Sequence, residues 1–275
     1  MIRNGLTCNL CGKDRFRVFE DAEAPVYVLK CLYCGLVFVD PVPNPNSLTT
    51  HYNAEYYAEW AGNQKEKRLR MWRRRLQTIE QYKPSGRLLD VGCATGDFLE
   101  LAQRNGWHVD GTEYSPYAAA FARDLLKADI FCGHLMDAPY KDASFDVVTL
   151  WHVLEHVADP IRYLLEAHRI LKPSGLLVVA VPNVNDYIMK TAYRIVKGRS
   201  LKLFSRDDRE IHLYHFSADT LKQYLHKAGF DCLSISPDYG ITEHSKRLVN
   251  FIAVALSYAT GMKLFNALEA HAVRL

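Results

Sequence analysis

The sequence predicts an α/β fold: an open, mainly parallel sheet wound on both faces by helices, with a small cysteine-bearing unit in front of it. Three observations carry this. Strand-like and helical runs alternate from residue 87 onward, the pattern that builds parallel sheets covered by helices. The chain has 275 residues, enough for one large domain with or without a small companion. Hydrophobic residues make up 49% and charged residues 24%, ordinary for a soluble globular protein.

In chain order, residues 1–40 form a compact unit with paired cysteines, and "DPVPNPNS" (40–47) follows as an extended or turned linker. "KEKRLRMWRRRLQTIEQY" reads as a basic helix ended by "KPSG" (83–86). Strand-like runs are "RLLDVG", "HVDGTE", "DIFCG", "FDVVTLW" and "GLLVVAVP"; helical runs are 95–105, 116–127, 158–171 and 217–228. The segment 184–215 is long for a connector, and such insertions commonly carry function. The expected division is therefore 1–40, 41–83 and 84–275 with the insertion 184–215.

Net charge is +3, too small to imply nucleic acid by itself. The N-terminus "MIRNGLTCNL" shows no apolar signal region, and "LVNFIAVALSYATGM" (248–262) is too short to span a bilayer. The expectation is a cytoplasmic protein, where seven cysteines serve as thiols or metal ligands rather than disulfides.

Cys8-x-x-Cys11 and Cys31-x-x-Cys34 are two knuckles, each followed by glycine, at the spacing of a four-cysteine zinc site. The alternative is four unligated thiols. With all four positions filled by cysteine the metal would be structural, because no open coordination site remains.

"LLDVGCATGDFLE" (88–100) ends an apolar run in an acid and a glycine turn. A dinucleotide site needs glycine where Ala94 stands, and an uncharged helix start where Asp97 stands. No Gly-Lys-Ser/Thr follows, which excludes a P-loop. Glu113 closes the next strand, where a carboxylate accepts both hydroxyls of a ribose. The turn therefore suits an adenosine-like ligand without a pyrophosphate.

"LLDVGCATGDFLELA", "GTEYS", "FDVVTLWHVLEHVADP" and "LKPSGLLVVAVPN", in this order over 86–183, resemble class I S-adenosylmethionine-dependent methyltransferases. The knuckles, "YNAEYY" and "HLYHFSADTLKQYLHKAGF" resemble a narrower subset: bacterial methyltransferases with an N-terminal zinc-binding domain, many acting on sugars or other small metabolites. The resemblance covers most of 1–240 and not the tail. It implies a doubly wound, seven-stranded Rossmann-like sheet with a small zinc ribbon. It also implies a cofactor site in which Asp90, Gly92, Ala94 and Gly96 form the turn, and Glu113 meets the ribose. Tyr114, Leu135 and Met136 would cover the adenine, with Trp151 at the end of the fourth strand. Many relatives carry Asp where this chain has His134, leaving His134, Asp137 or a carbonyl to meet the adenine amine.

The fourth strand delivers Trp151-His152-Val153-Leu154-Glu155-His156 to the sheet edge where reacting groups gather. The resemblance favours His156 over His152, since the family often carries a histidine after Leu-Glu here, so His156 is the expected base; its alternative role is to cap or pack the next helix. Period-2 alternation in "EIHLYHFS" (210–217) reads as an extended segment with Glu210, His212 and Tyr214 on one face and Ile211, Leu213 and His215 on the other. The zinc-bearing sugar C-methyltransferases it resembles place a His or Tyr here against the substrate, so the resemblance implies that Tyr214 and His215 touch the acceptor, with structural roles as the alternative. Tyr52, Tyr56 and Tyr57 are expected to close over the site as a lid, and one of Arg73, Arg74 or Arg75 to pair with the cofactor carboxylate.

The favoured acceptor is a small molecule, such as a sugar or nucleotide sugar. The alternative is RNA, drawn by the basic helix beside the ribbon. Against it, the fourth strand ends in "LWHVLEH" rather than the Asn/Asp-Pro-Pro-aromatic motif of many base-methylating enzymes. A third reading is a non-enzymatic adaptor on a decayed scaffold. The tail 246–275 is left open between an antiparallel strand in "VNFIAVAL" and a helix running on through "KLFNALEAHAV", and the oligomeric state is left open too.

Overall fold

Five apolar runs too short to make helices fall into one sheet, and the connections between them set its order. β4 (Arg87–Val91), β5 (His108–Glu113), β6 (Asp129–Cys132), β7 (Phe145–Trp151) and β8 (Leu171–Pro182) run parallel. β11 (Ala267–Arg274) lies antiparallel to β8, and β10 (Phe230–Pro237) lies antiparallel to β11 and so runs with the other strands, in the order β10-β11-β8-β7-β4-β5-β6. The computed structural model describes residues 5–20, 22, 25–43, 55–57, 65–205, 207–238, 240 and 247–275. Tyr52, one of the expected lid tyrosines, lies outside them.

Helices flank the sheet: α1 (Lys65–Tyr82), α2 (Asp97–Arg104), α3 (Pro116–Leu126), α4 (Pro160–Ile170), α5 (Tyr187–Lys197), α6 (Ala218–Lys227) and α7 (Arg247–Thr260). Their starts follow local chemistry. Ser115, Asp159 and Ser217 cap α3, α4 and α6 by accepting backbone amides, with proline at the first turn of α3 and α4. The central strands β7 and β8 are buried on both faces, which is why they read as near-continuous apolar runs.

The tail divides differently from either sequence expectation. "VNFIAVAL" is helical in α7, and the last strand is β11, at "ALEAHAVR". β11 can lie between β8 and β10 because its small alanines alternate with larger residues on a surface buried on both faces.

β1 (Phe16–Glu20), β2 (Tyr27–Cys31) and β3 (Val37–Asp40) make a second sheet, which β9 (Tyr214–His215) extends from the main body. Leu6, Leu10, Leu29, Leu36 and Phe38 of this unit share one apolar cluster with the main sheet. The insertion 184–215 therefore supplies both a helix, α5, and the strand that ties the two sheets.

Candidate active site

At the carboxyl ends of β4, β5 and β7 lies a cavity of about 790 Å³, within the range of small-molecule sites. Gly92, Ala94, Glu113, Tyr114, Leu135, Met136, Trp151 and His156 line it, so most of the residues expected from sequence meet here. Asp90, Gly96, Tyr214 and His215 do not line it.

The turn after β4 is held from β5. Gly92 and Cys93 donate their amides to Thr112 O, at 2.8 and 3.0 Å. Glu113 accepts the Ala94 amide at 2.9 Å and the Ser115 amide at 2.8 Å. Gly92 has φ +73°, and a Cβ there would come within 2.7 Å of Val153 Cγ2, so only glycine lets β7's exit pass this close. Gly96, φ +86°, lies behind the turn, where its missing side chain lets α2 approach Ala122 and Leu126 of α3. Ala94 at φ +49° and His152 at φ +56° are strained non-glycine residues that face the same cavity.

Asp90 sits beneath the turn. It accepts Thr149 Oγ1 at 2.7 Å, and burial pushes its carboxyl up to about 7 against the opposing effect of that bond. Its role is to link β4 to β7 across the register that pairs it with Thr149.

Glu113 is 7% exposed. Burial pushes its carboxyl up, opposed by the Ser115 and Ala94 amides and the Tyr57 hydroxyl, which donates at 3.3 Å. Tyr56 donates to Glu210 on the other side of the cavity. Residues 55–57 thus bridge from Glu113 to Glu210, as a cover over the opening would. His134 lines the wall, its Nδ1 2.9 Å from the Tyr163 hydroxyl and its ring 4.6 Å from that of Tyr114. Asp137 lines the same wall.

Of the three arginines at 73–75, only Arg75 lines the cavity; Arg73 and Arg74 are exposed. The Arg75 guanidinium stacks on Trp151 at 4.2 Å and Trp72 at 4.8 Å and pairs with Asp238 at 2.6 Å. Asp238 also accepts from His152 Nε2 at 2.9 Å, and His152 Nδ1 lies 3.3 Å from Glu155. Burial works to lower the His152 pKa, but the two carboxylates outweigh it and push it up to about 10. A histidine that holds its proton this firmly cannot act as a base at neutral pH. Asp238, at the end of β10, was not visible from sequence: no motif marks it, and only the β10–β11 pairing brings it here.

His156 differs. Its Nδ1 lies 2.9 Å from Ile211 O, and a carbonyl only accepts, so Nδ1 carries a proton and, in the neutral imidazole, Nε2 holds the lone pair. The buried Glu155 carboxylate has a ligand atom within 4.8 Å of those of His156 and His212, a spacing that suits a divalent cation. Burial would raise the Glu155 pKa, yet its histidine neighbours hold it below its ordinary value. Burial lowers that of His212.

Tyr214 and His215 stand behind the wall. The Tyr214 hydroxyl donates to Ala158 O at 3.1 Å, and its ring stacks on Phe38 of the ribbon. Burial drives the His215 pKa down to about 3. Of the expected extended run only these two residues are strand, because Glu155 O accepts both the Leu213 and Tyr214 amides and turns the chain inward. The cavity is faced instead by Glu210, Ile211 and Leu213.

The four knuckle cysteines also converge. Cys8 and Cys34 Sγ are 3.6 Å apart, as are Cys11 and Cys31. Tetrahedral zinc with bonds of about 2.3 Å requires sulfurs about 3.8 Å apart, so the set fits that ion. Asn9, inside the first knuckle, donates to Asp159 at 2.9 Å and accepts from the Tyr224 hydroxyl at 2.8 Å. Asp159 lines the cavity, so the ribbon props one of its walls.

Residues 60–235 match the family described as "Methyltransferase domain". The chain belongs to this family, the class I S-adenosylmethionine-dependent methyltransferases. Among curated relatives it is 29% identical over 184 residues to a "Probable S-adenosylmethionine-dependent methyltransferase" of Mycolicibacterium smegmatis, covering 64% of this chain and 66% of that one. It is 28% identical over 184 residues to a demethylmenaquinone methyltransferase of Staphylococcus haemolyticus, covering 60% of this chain and 77% of the relative. The match thus spans about two thirds of the first relative's length. A methyltransferase structure from Archaeoglobus fulgidus shares the fold at TM-score 0.54 and 19% identity, over 80% of this chain and all of that one. A [4+2]-cyclase shares it at TM-score 0.51 and 24% identity, over 73% and 80% of the two chains, so the fold alone does not name a reaction. Among the described residues, no helix of this methyltransferase is long and apolar enough to cross a membrane.

Proposed function

We propose that this methyltransferase moves the methyl group of S-adenosylmethionine onto a small, mainly apolar molecule that carries one acidic O–H or C–H, with His156 as the base. The observation that carries the reading is the bond from His156 Nδ1 to Ile211 O, which leaves Nε2 to receive the acceptor's proton beside the cavity. As a sulfonium the cofactor supplies both the methyl group and its own leaving group. The acceptor's proton passes to His156 and its electron pair forms the new bond to the methyl carbon. The C–S electrons stay on sulfur, leaving S-adenosylhomocysteine. Glu155 stabilises the imidazolium that results, while His152 keeps its proton and sets one wall.

The cofactor fits the residues present. Glu113 accepts the ribose hydroxyls in place of Tyr57, and Tyr114, Leu135 and Met136 enclose the adenine. Asp97, 3.4 Å from Arg68, keeps phosphate away from the start of α2. Val153, Val157, Ile211 and Leu213 give the cavity an apolar stretch bordered by Asp159, Arg162 and Glu210. That lining favours an apolar acceptor over a sugar or nucleotide sugar, and demethylmenaquinone methyltransferases stand among the relatives. The RNA reading finds no support among the relatives, and two cations of the basic helix, Arg68 and Arg75, turn inward while Lys65, Arg70, Arg73 and Arg74 stay exposed. Tyr214 and His215 act through packing behind the wall. Cys8, Cys11, Cys31 and Cys34 hold a structural zinc ion.

The test is S-adenosylhomocysteine formation with a panel of phenols, quinols and sugars, for the parent chain and His156→Ala. Turnover of a quinol or phenol that collapses in the variant supports the reading. Full turnover by His156→Ala, or turnover of sugars alone, sinks it.

A further inference from the structure

Helix α7 is turned inside out. Ala253 and Ser257 face the protein, with Ser257 Oγ accepting the Leu264 amide at 2.9 Å. Leu248, Phe251, Ile252 and Leu256 face outward at helical spacing. Phe251 is 71% and Tyr258 75% exposed. Helix α5 packs beside it. It has no buried residue, and its Ile195 and Val196 are 78% and 77% exposed. The roots of the two helices are tied together, since Asn183 Nδ2 donates to Lys263 O at 2.9 Å and Phe265 O at 2.8 Å. The outcome is a fixed, two-helix apolar ridge, of the kind that marks an interaction site.

Its charges say what covers it. Arg194, Lys197, Arg199 and Lys202 stand exposed along α5 and its exit, and neither 187–204 nor 247–263 contains an Asp or Glu. A second copy of the chain would set these cations against their own kind. A bilayer with anionic headgroups offers phosphate to the cations and acyl chains to the ridge. We propose that α5 and α7 form a docking surface for an anionic membrane, with the chain lying on the bilayer rather than crossing it. The docking stands on this surface alone. Its use, to meet an apolar acceptor held in lipid, rests on the proposed function.

The test is co-sedimentation of the full chain with vesicles of phosphatidylcholine alone and of phosphatidylcholine mixed with phosphatidylglycerol. The expected result is pelleting with the mixed vesicles only, lost at high salt, with partition weakened about fivefold per cation in Arg194→Gln and Lys197→Gln. Ile195→Asp with Phe251→Asp should abolish pelleting and leave S-adenosylhomocysteine binding and melting temperature unchanged. Pelleting that ignores lipid charge or these substitutions overturns the proposal. So does a parent chain that stays in the supernatant, or a dimer by light scattering that the double variant makes monomeric. S-adenosylhomocysteine binding reports separately on the cofactor site, so failure of the surface and failure of the site are distinguishable.

Discussion

Glu113 accepts the Ala94 amide at 2.9 Å, so the acid at the end of β5 also clamps the turn at the end of β4. One carboxylate therefore shapes the turn after β4 and, in the proposed function, presents itself to the ribose. Glu113→Gln keeps the shape and removes the charge. A hydrogen bond to a charged group contributes about 1.5–3 kcal/mol, so affinity for S-adenosylhomocysteine should fall by about 10- to 150-fold in calorimetry. An affinity within about twofold of the parent would place the ribose elsewhere.

His156→Ala should lower kcat by about 10²- to 10⁴-fold, the usual contribution of a positioned base, without weakening cofactor binding. An unchanged melting temperature and an unchanged S-adenosylhomocysteine affinity in the variant separate this from a packing defect.

The sheet was legible because its strands are short apolar runs between capped helices, and Pro116, Pro160 and Ser217 mark helix starts in the sequence itself. The turn after β4 was legible through Gly92 and Glu113, whose spacing follows from one βα unit and which line one cavity. Asp238 and Asn9 were not. Each acts through a partner far along the chain, His152 and Asp159, and long-range pairings leave no local pattern. The alternation in 210–217 misled about Tyr214 and His215, since Glu155 O captures two successive amides there and the segment turns inward. A helix at α7 was one of the two expectations for the tail, but its outward-facing apolar stripe was not legible, since hydrophobic periodicity says nothing about which side is covered.

The His152–Asp238 pair makes stability depend on pH. The folded His152 pKa, about 10, lies above its unfolded value, so its contribution is complete below about pH 6.5 and fades as pH rises toward 10. Arg75 and His152 overcome burial and hold Asp238 below its ordinary value, so its share is present above about pH 4 and fades in acid. His152 is 39% exposed at its side chain, and solvent moderates the pair. Asp238→Asn should thus lower the melting temperature most near pH 6. The gap should narrow toward pH 10, leaving only the share owed to Arg75. A gap constant from pH 6 to 10 would show that His152 is not protonated by this contact.

Cys34→Ser should release zinc, measured by elemental analysis, and lower the melting temperature by several degrees, because a structural ion contributes folding energy directly. The loss should also reach the active site, since Asn9 lies between two of the ligands and holds Asp159. A raised acceptor KM with unchanged cofactor affinity is the expected signature.

The central claim is that one cavity seats the cofactor against Glu113 and turns its methyl toward His156. A crystal structure with S-adenosylhomocysteine tests it most directly. Ribose hydroxyls should lie on the Glu113 carboxylate, with Tyr57 displaced and the His156 imidazole about 6–8 Å from the sulfur, leaving room for one acceptor atom between them. A ribose bound away from Glu113, or a His156 ring beyond that distance, would contradict it.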